Sequence, residues 1–309
     1  MEINVVSNNK TMNLSITAIV LTKNEEIHIK RFINKVSGIA EKIFIIDSFS
    51  TDDTLKIAKK YKKVEIFQHR FENYAKQLNW ALKNCPIKTE WVLRLDTDEY
   101  LENNLIKYLE NNLPKINQDV SGIYFRRKVI FRNQWIHFGG FYPTWLLRLF
   151  RYQKAVCETR HMDEHIKLLA GNSIRIKKDI VDHNLNSLSF WTLKHDWYAT
   201  REAVDYLLNL KKPEPTKYSN SYQDQKRRWL KNRLYNQAPL FLRVYFYYFY
   251  RYIILLGFLD GLAGLQFHFL QCFWYRFLVD SKIYEIKIYQ KKYRVGLIKA
   301  VKNLYNYQI

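Results

Sequence analysis

Cysteine is scarce in this chain of 309 residues, and the three present, Cys85, Cys157 and Cys272, stand far apart with no C-x-x-C pair. That spacing excludes a disulfide framework and a cysteine zinc site, and fits a reducing cytosol. The opening MEINVVSNNKTMN has neither a basic start nor an apolar run, so no secretory signal is expected. Long hydrophobic runs are missing as well. In the aromatic stretch 239–279, Arg243, Arg251, Asp260 and Arg276 interrupt every run before the roughly 20 residues that a membrane span takes. Acidic residues are the minority, 29 against 50 Lys and Arg, for a formal charge of +21. The excess is uneven: residues 211–309 hold 18 Lys/Arg and 5 Asp/Glu, a net +13, which leaves +8 for the longer first part. No internal repeat is found. What remains is 48% apolar and 16% aromatic, enough to bury a substantial core in one large or two smaller domains and to exclude a disordered chain.

The first hundred residues alternate two periodicities. Ile16–Leu21, Lys42–Asp47, Val64–Gln68 and Trp91–Asp96 are short Ile/Val/Leu-rich runs bounded by polar residues, and predict buried strands. Between them Ile29, Phe32, Ile33 and Val36 recur at helical spacing after Asn24 as N-cap. Leu55, Ala58 and Tyr61, then Ala75, Leu78 and Leu82, do the same. This order predicts an α/β fold with a mostly parallel sheet covered by helices on both faces. From Gly122 to about Phe150 the pattern becomes β-like, and past Asp182 it turns helical. Lys211-Lys212-Pro213-Glu214-Pro215 reads as a linker, and the expected division is a catalytic domain over 14–205 and a basic, aromatic, helical region over 206–309.

Ligands of such sheets bind beyond the carboxyl ends of the strands. Three polar loops meet there: Thr22-Lys23-Asn24-Glu25-Glu26, Asp47-Ser48-Phe49-Ser50-Thr51-Asp52-Asp53-Thr54 and Asp96-Thr97-Asp98-Glu99. Asp96 and Asp98 end a buried strand, and two close carboxylates repel unless a cation offsets them. Hard oxygen ligands suit Mg²⁺ or Mn²⁺, ions commonly completed by substrate phosphates. An Asp-capped turn is the ligand-free alternative. Helix capping accounts for Ser50, Thr51, Asp52 and Asp53, but less well for Asp47, a strand-terminal acid suited to a base or ribose.

Those three loops, together with Lys76-Gln77-Leu78-Asn79-x-Ala81, resemble the family 2 glycosyltransferases in order and spacing, and within them the lipopolysaccharide core β-glucosyltransferase branch. The likeness continues through Gly139-Gly140-Phe141-Tyr142-Pro143 and Leu147-Arg148-Leu149-Phe150, an acceptor-side segment, and through Asp163-Glu164-His165, His183, Lys194 and Tyr198. It ends on Gly257-Phe258-Leu259-Asp260-Gly261-x-x-Gly264-Leu265. The resemblance implies a GT-A type, Rossmann-like domain followed by a helical C-terminal extension. It places Thr22, Asn24, Glu26, Asp47, Lys76 and Asp96 at the nucleotide sugar, Asp47 on the base and Asp96 on the ribose. Asp98, with His183 as a further ligand, would hold the Mg or Mn cation that bridges the diphosphate. Glu164, with Asp163 as second choice, would be the base that deprotonates the acceptor. For Lys76 the alternative is a surface lysine, and for Asp163 and Glu164 surface acids. Phe49 stands where many relatives have glycine, and a large aromatic there is expected to alter the loop.

The activity so implied is inverting transfer of a sugar from a UDP-linked donor to a glycan or glycolipid acceptor, in cell-envelope polysaccharide or lipopolysaccharide biosynthesis. Arginines among Tyr, Phe and Trp suit an element in the membrane interface, and a helical hairpin packed on the catalytic domain is the alternative. Attachment to an anionic surface at the cytoplasmic face of the inner membrane is therefore expected, peripheral and released by high salt. A sugar nucleotidyltransferase is a rival, although its glycine-rich loop after the first strand is replaced here by Thr22-Lys23-Asn24-Glu25-Glu26. A basic nucleic-acid-binding protein is another; no helix-turn-helix, RNA-recognition or zinc-finger pattern supports it, so no nucleic-acid partner is expected.

Overall fold

The computed structural model describes residues 14–158, 165–209 and 235–307. The chain divides into two compact units, one made of residues through Arg127, Trp145–Val156 and Leu168–Asn184, the other of Lys128–Thr144, Cys157–Lys167 and Leu185 onward. The expected boundary at 205/206 falls inside a helix, Leu188–Asn209.

In the first unit, β1 (Ile16–Thr22), α1 (Glu26–Val36), β2 (Lys42–Asp47), α2 (Thr54–Ala58), β3 (Val64–Gln68), α3 (Tyr74–Asn84) and β4 (Trp91–Arg94) follow in order. β1 pairs in parallel with β2 and β4, and β2 in parallel with β3. Both sheet faces of this block are covered, so its strands read as continuous apolar runs rather than alternating ones. Ile16, Ala18, Ile19 and Val20 of β1 are fully buried, as are Ile43, Ile45 and Ile46 of β2. α1 buries Ile29, Phe32, Ile33 and Val36, a single stripe at three- and four-residue spacing.

β5 (Glu99–Leu101), α4 (Asn103–Asn112), β6 (Val120–Phe131), β7 (Gln134–Ile136), β8 (Thr144–Arg151), β9 (Ala155–Cys157), β10 (Ile166–Leu168) and β11 (Asn172–His183) complete the β structure. The main sheet runs β3-β2-β1-β4-β8-β6-β11-β5, with β7 on β6, and β10 and β9 form a separate pair. β4 with β8 and β11 with β5 are antiparallel, so the sheet changes character beyond β4. The α/β class is as the sequence predicts.

The second unit is helical. α5 (Leu188–Asn209) packs Ala199, Ala203 and Val204 against Val279, Ile283 and Ile286 of α8 (Tyr275–Tyr293) and Ala300 and Val301 of α9 (Leu297–Tyr305). Between them α6 (Leu242–Phe249) continues as a π-helical segment, Tyr250–Ile254; a 3-10 turn, Gly257–Asp260, leads into α7 (Gly261–His268) and a second π-helical segment, Phe269–Trp274. Among the described residues no single helix is long and apolar enough to cross a membrane, although Leu242–Ile254 with Gly257–Tyr293, bent by 69°, passes by length and composition together.

This unit also holds the glycine loop. Gly139 and Gly140 have φ of 68° and 71°. A Cβ on Gly139 would lie 1.9 Å from the His268 ring, so the position needs glycine for space as well as conformation. The Asp260 carboxylate accepts the backbone N–H groups of His137 (3.1 Å) and Phe138 (3.0 Å). The C-terminal Gly257–Leu265 signature thus anchors the base of the glycine loop.

Candidate active site

Asp47, the last residue of β2, is fully buried, and its carboxylate is held from three directions. The Thr22 hydroxyl donates to it at 3.0 Å and the Ser50 amide at 2.9 Å, with the Ser50 hydroxyl alongside. Thr22 thus orients Asp47 rather than reaching outward. Asn24 and Glu26 also engage the neighbouring loop: the Asn24 side-chain oxygen accepts the Thr51 amide (2.8 Å), and the Glu26 carboxylate accepts the Asp53 amide (2.9 Å). Asn24 is not the N-cap of α1. It sits at φ 54°, and Glu25 takes the cap position without a side-chain cap bond.

Phe49 corrects an expectation. Its backbone adopts φ 60°, the left-handed conformation that glycine takes without penalty, so the loop keeps that geometry despite the aromatic side chain. The ring is 51% exposed, and the Lys23 ammonium donates to the Phe49 carbonyl at 2.6 Å. Gln77, inside the α3 motif, is buried and donates to the Ser48 hydroxyl and the His69 carbonyl, both at 3.1 Å. Lys76 instead pairs with Glu72 on the exposed face of α3, four residues away.

On the other side of β1, β4 delivers Asp96 and Asp98. Asp96 lies between two arginines, Arg94 (2.5 Å) and Arg148 (3.4 Å). Arg148 also pairs with Glu99 at 2.6 Å, and Glu99 accepts the Asp96 amide at 3.0 Å. Burial first, and the Asp96 charge second, push the Glu99 carboxyl well above its usual range. Asp98 forms no ion pair among the described residues; its carboxylate accepts the Asn184 side chain at 3.0 Å. Its carbonyl accepts the His183 amide at 3.0 Å and Arg31 at 3.3 Å. The structure therefore brings Asp98 and His183 together. Burial, then the Arg31 charge, lowers the His183 pKa and favours the neutral imidazole that binds metals.

Asp182 is the residue that sequence reasoning passed over. It pairs in register with Glu99, and its carboxyl is pushed up to about 6, by burial first and the Asp98 charge second, against Arg127 at 3.8 Å. The Asp-His pair closing β11 was its only signal. Among the described residues no group of three His, Cys, Asp or Glu side chains is arranged to hold a metal ion. The carboxylates of Asp98 and Asp182, which repel one another, nevertheless fit a cation that takes most of its remaining ligands from water and phosphate, whereas His183 meets Asp98 through its backbone amide. Asp163 and Glu164 lie outside the described residues.

In an open α/β sheet ligands bind in the crevice outside the carboxyl ends of the strands, where these acids stand. More narrowly, residues 17–170, about half of the chain, match the family described as Glycosyl transferase family 2, so the chain carries a domain of that family. An uncharacterized glycosyltransferase of Rickettsia conorii is 35% identical over 111 residues, 36% of this chain and 38% of that protein; one of Rickettsia typhi is 36% identical over 104 residues, 34% and 35% respectively. The chain thus matches well under half the length of these relatives. Among solved structures, Staphylococcus aureus TarS 1–349 in complex with UDP-GlcNAc is similar over 88% of this chain and 91% of that one, at 12% identity and a TM-score of 0.45. Mycobacterium tuberculosis glucosyl-3-phosphoglycerate synthase, in complex with Mn²⁺, UDP and glucosyl-3-phosphoglycerate, is similar over 37% of this chain and 44% of that one, at 17% identity and a TM-score of 0.31.

Proposed function

We propose that this protein is an inverting glycosyltransferase that moves a sugar from a UDP-linked donor to a glycan or glycolipid acceptor. The observation that carries the reading is the family 2 domain with its acids at the carboxyl ends of the two strands that flank β1: Asp47 on β2, and Asp96 and Asp98 just past β4. Asp47, fixed by Thr22 and Ser50, would accept hydrogen bonds from the base, and Asp96, fixed by Arg94 and Arg148, from the ribose. Asp98, with His183 and Asp182 beside it, would hold a Mg or Mn ion. When bound, such an ion offsets the charge that builds on the departing diphosphate. Glu164, or Asp163, would take the proton of the acceptor hydroxyl. The acceptor oxygen then bonds to the anomeric carbon from the face opposite the leaving diphosphate, and one displacement inverts that centre.

The acceptor is proposed to belong to cell-envelope polysaccharide or lipopolysaccharide biosynthesis. The enzyme would work at the cytoplasmic face of the inner membrane, where the basic C-terminal region attracts anionic lipid. A screen of nucleotide sugars for Mg²⁺- or Mn²⁺-dependent release of nucleoside diphosphate, on a glycolipid extract, tests the activity. Asp98→Ala is expected to lower turnover at least about 100-fold while its melting temperature stays near that of the unaltered protein. Full activity in Asp98→Ala would remove the metal assignment, and release of pyrophosphate instead would point to a nucleotidyltransferase.

A further inference from the structure

The segment Leu242–Ile254 is amphipathic in the reverse sense for water. Leu242, Tyr245, Phe246, Phe249, Ile253 and Ile254 recur at three- and four-residue spacing and are all exposed, Phe246 to 66% and Ile254 to 56%. Its charged groups turn inward: Arg243 is 3% exposed and pairs with the fully buried Asp280, and the Arg251 guanidinium lies 4.0 Å from the Phe141 ring centroid. The next segment repeats the order. Leu262 is 78% exposed and Leu265 and Phe269 are exposed, whereas Asp260 and His268 are buried. Between 242 and 269 the exposed side chains are apolar or aromatic with the single exception of Gln266. A helix facing water shows the opposite arrangement, polar outside and apolar within. Hydrocarbon outside reverses the preference.

We infer that this face inserts into one leaflet of an anionic lipid bilayer. Its length limits the depth. Eight residues of α-helix and five of π-helix reach about 20 Å, short of the roughly 30 Å hydrocarbon core. The chain then turns at Leu256, in the left-handed conformation at φ 60°, with the 69° bend. Tyr245 and Tyr250 supply the amphipathic rings that favour the headgroup boundary. Lys287, Lys291, Lys292, Arg294, Lys299 and Lys302 of the same unit are exposed cations that complement anionic headgroups. This deepens the attachment proposed above from a charge contact to an apolar one, and rests on that reading for the presence of a membrane.

The full chain, cosedimented with phosphatidylcholine vesicles containing phosphatidylglycerol, tests it. Binding is expected to persist at about 1 M NaCl, where the screening length is about 3 Å and surface charge contacts are lost. The variant Phe246→Ser/Ile254→Ser/Leu262→Ser, altered only at exposed positions, should keep its circular dichroism and melting temperature and lose at least about tenfold of the salt-resistant binding. Complete release of the unaltered protein by salt would overturn insertion while leaving charge attachment standing. Undiminished binding by the triple variant would also overturn it. So would an oligomer that the triple variant converts to monomer without loss of vesicle binding, since the face would then join two copies. Nucleoside diphosphate release, measured on the same samples, reports separately on the transferase reading.

Discussion

Phe49 holds a backbone conformation that costs an ordinary residue about 1–2 kcal/mol, and its exposed ring recovers little of that by packing. Phe49→Gly is therefore expected to change stability by no more than about 1 kcal/mol, because relief of the strain offsets the added flexibility of glycine in the unfolded chain. Phe49→Val should cost about 1–2 kcal/mol, since a β-branched residue is worse still at positive φ. Urea unfolding of the two variants separates them. Arg148 and Glu99 are a harder constraint, 11% and 2% exposed and in direct contact. Arg148→Met leaves a buried carboxylate without its cation and is expected to lose about 3–5 kcal/mol. Adding Glu99→Leu should recover at least half of that loss, by the same unfolding measurement. Neither residue was visible as a pair in the sequence, where 49 positions separate them and they meet because β8 lies beside β4, whose chain runs on to Glu99.

At the scale of elements, β1 to β3 were legible to within a residue because parallel strands buried on both faces form unbroken apolar runs. The fourth was read two residues long: β4 ends at Arg94, and Asp96 already belongs to the turn that returns as β5. The antiparallel half was less legible. Its pairings join segments far apart in sequence, and Asp182 meets Glu99 only through the β11–β5 register. Asn24 was misread as a cap because its side chain has a competing partner in the next loop, the Thr51 amide. The aromatic hairpin was recognisable by composition, yet periodicity alone does not say which stripe faces the protein. The burial of Arg243 and the seat of Arg251 over the Phe141 ring decided that, and with it whether the apolar stripe packs inside or stands outside.

For the whole molecule, acid sensitivity should come in part from the helical unit. His195 and His268 are both held at about 4, by burial first; the next influences are the Trp191 carbonyl bond, which works upward at His195, and the Arg251 charge, which works downward at His268. Between pH 6.5 and 4 the unfolded chain binds a proton at each imidazole that the folded one refuses, so stability is complete above about 6.5 and falls as the pH drops through this window. The expected loss is on the order of 3 kcal/mol for His268, and less for His195, which is partly exposed. Melting curves over this range should show a shallower slope in His195→Gln. The Asp260 carboxylate has a wider reach. With one oxygen on each of two successive amides, it rivets the tip leading into Gly139 and Gly140 to the turn that opens α7. A push on the hairpin from outside would therefore swing the glycine loop along with it, as a spanner turns its nut.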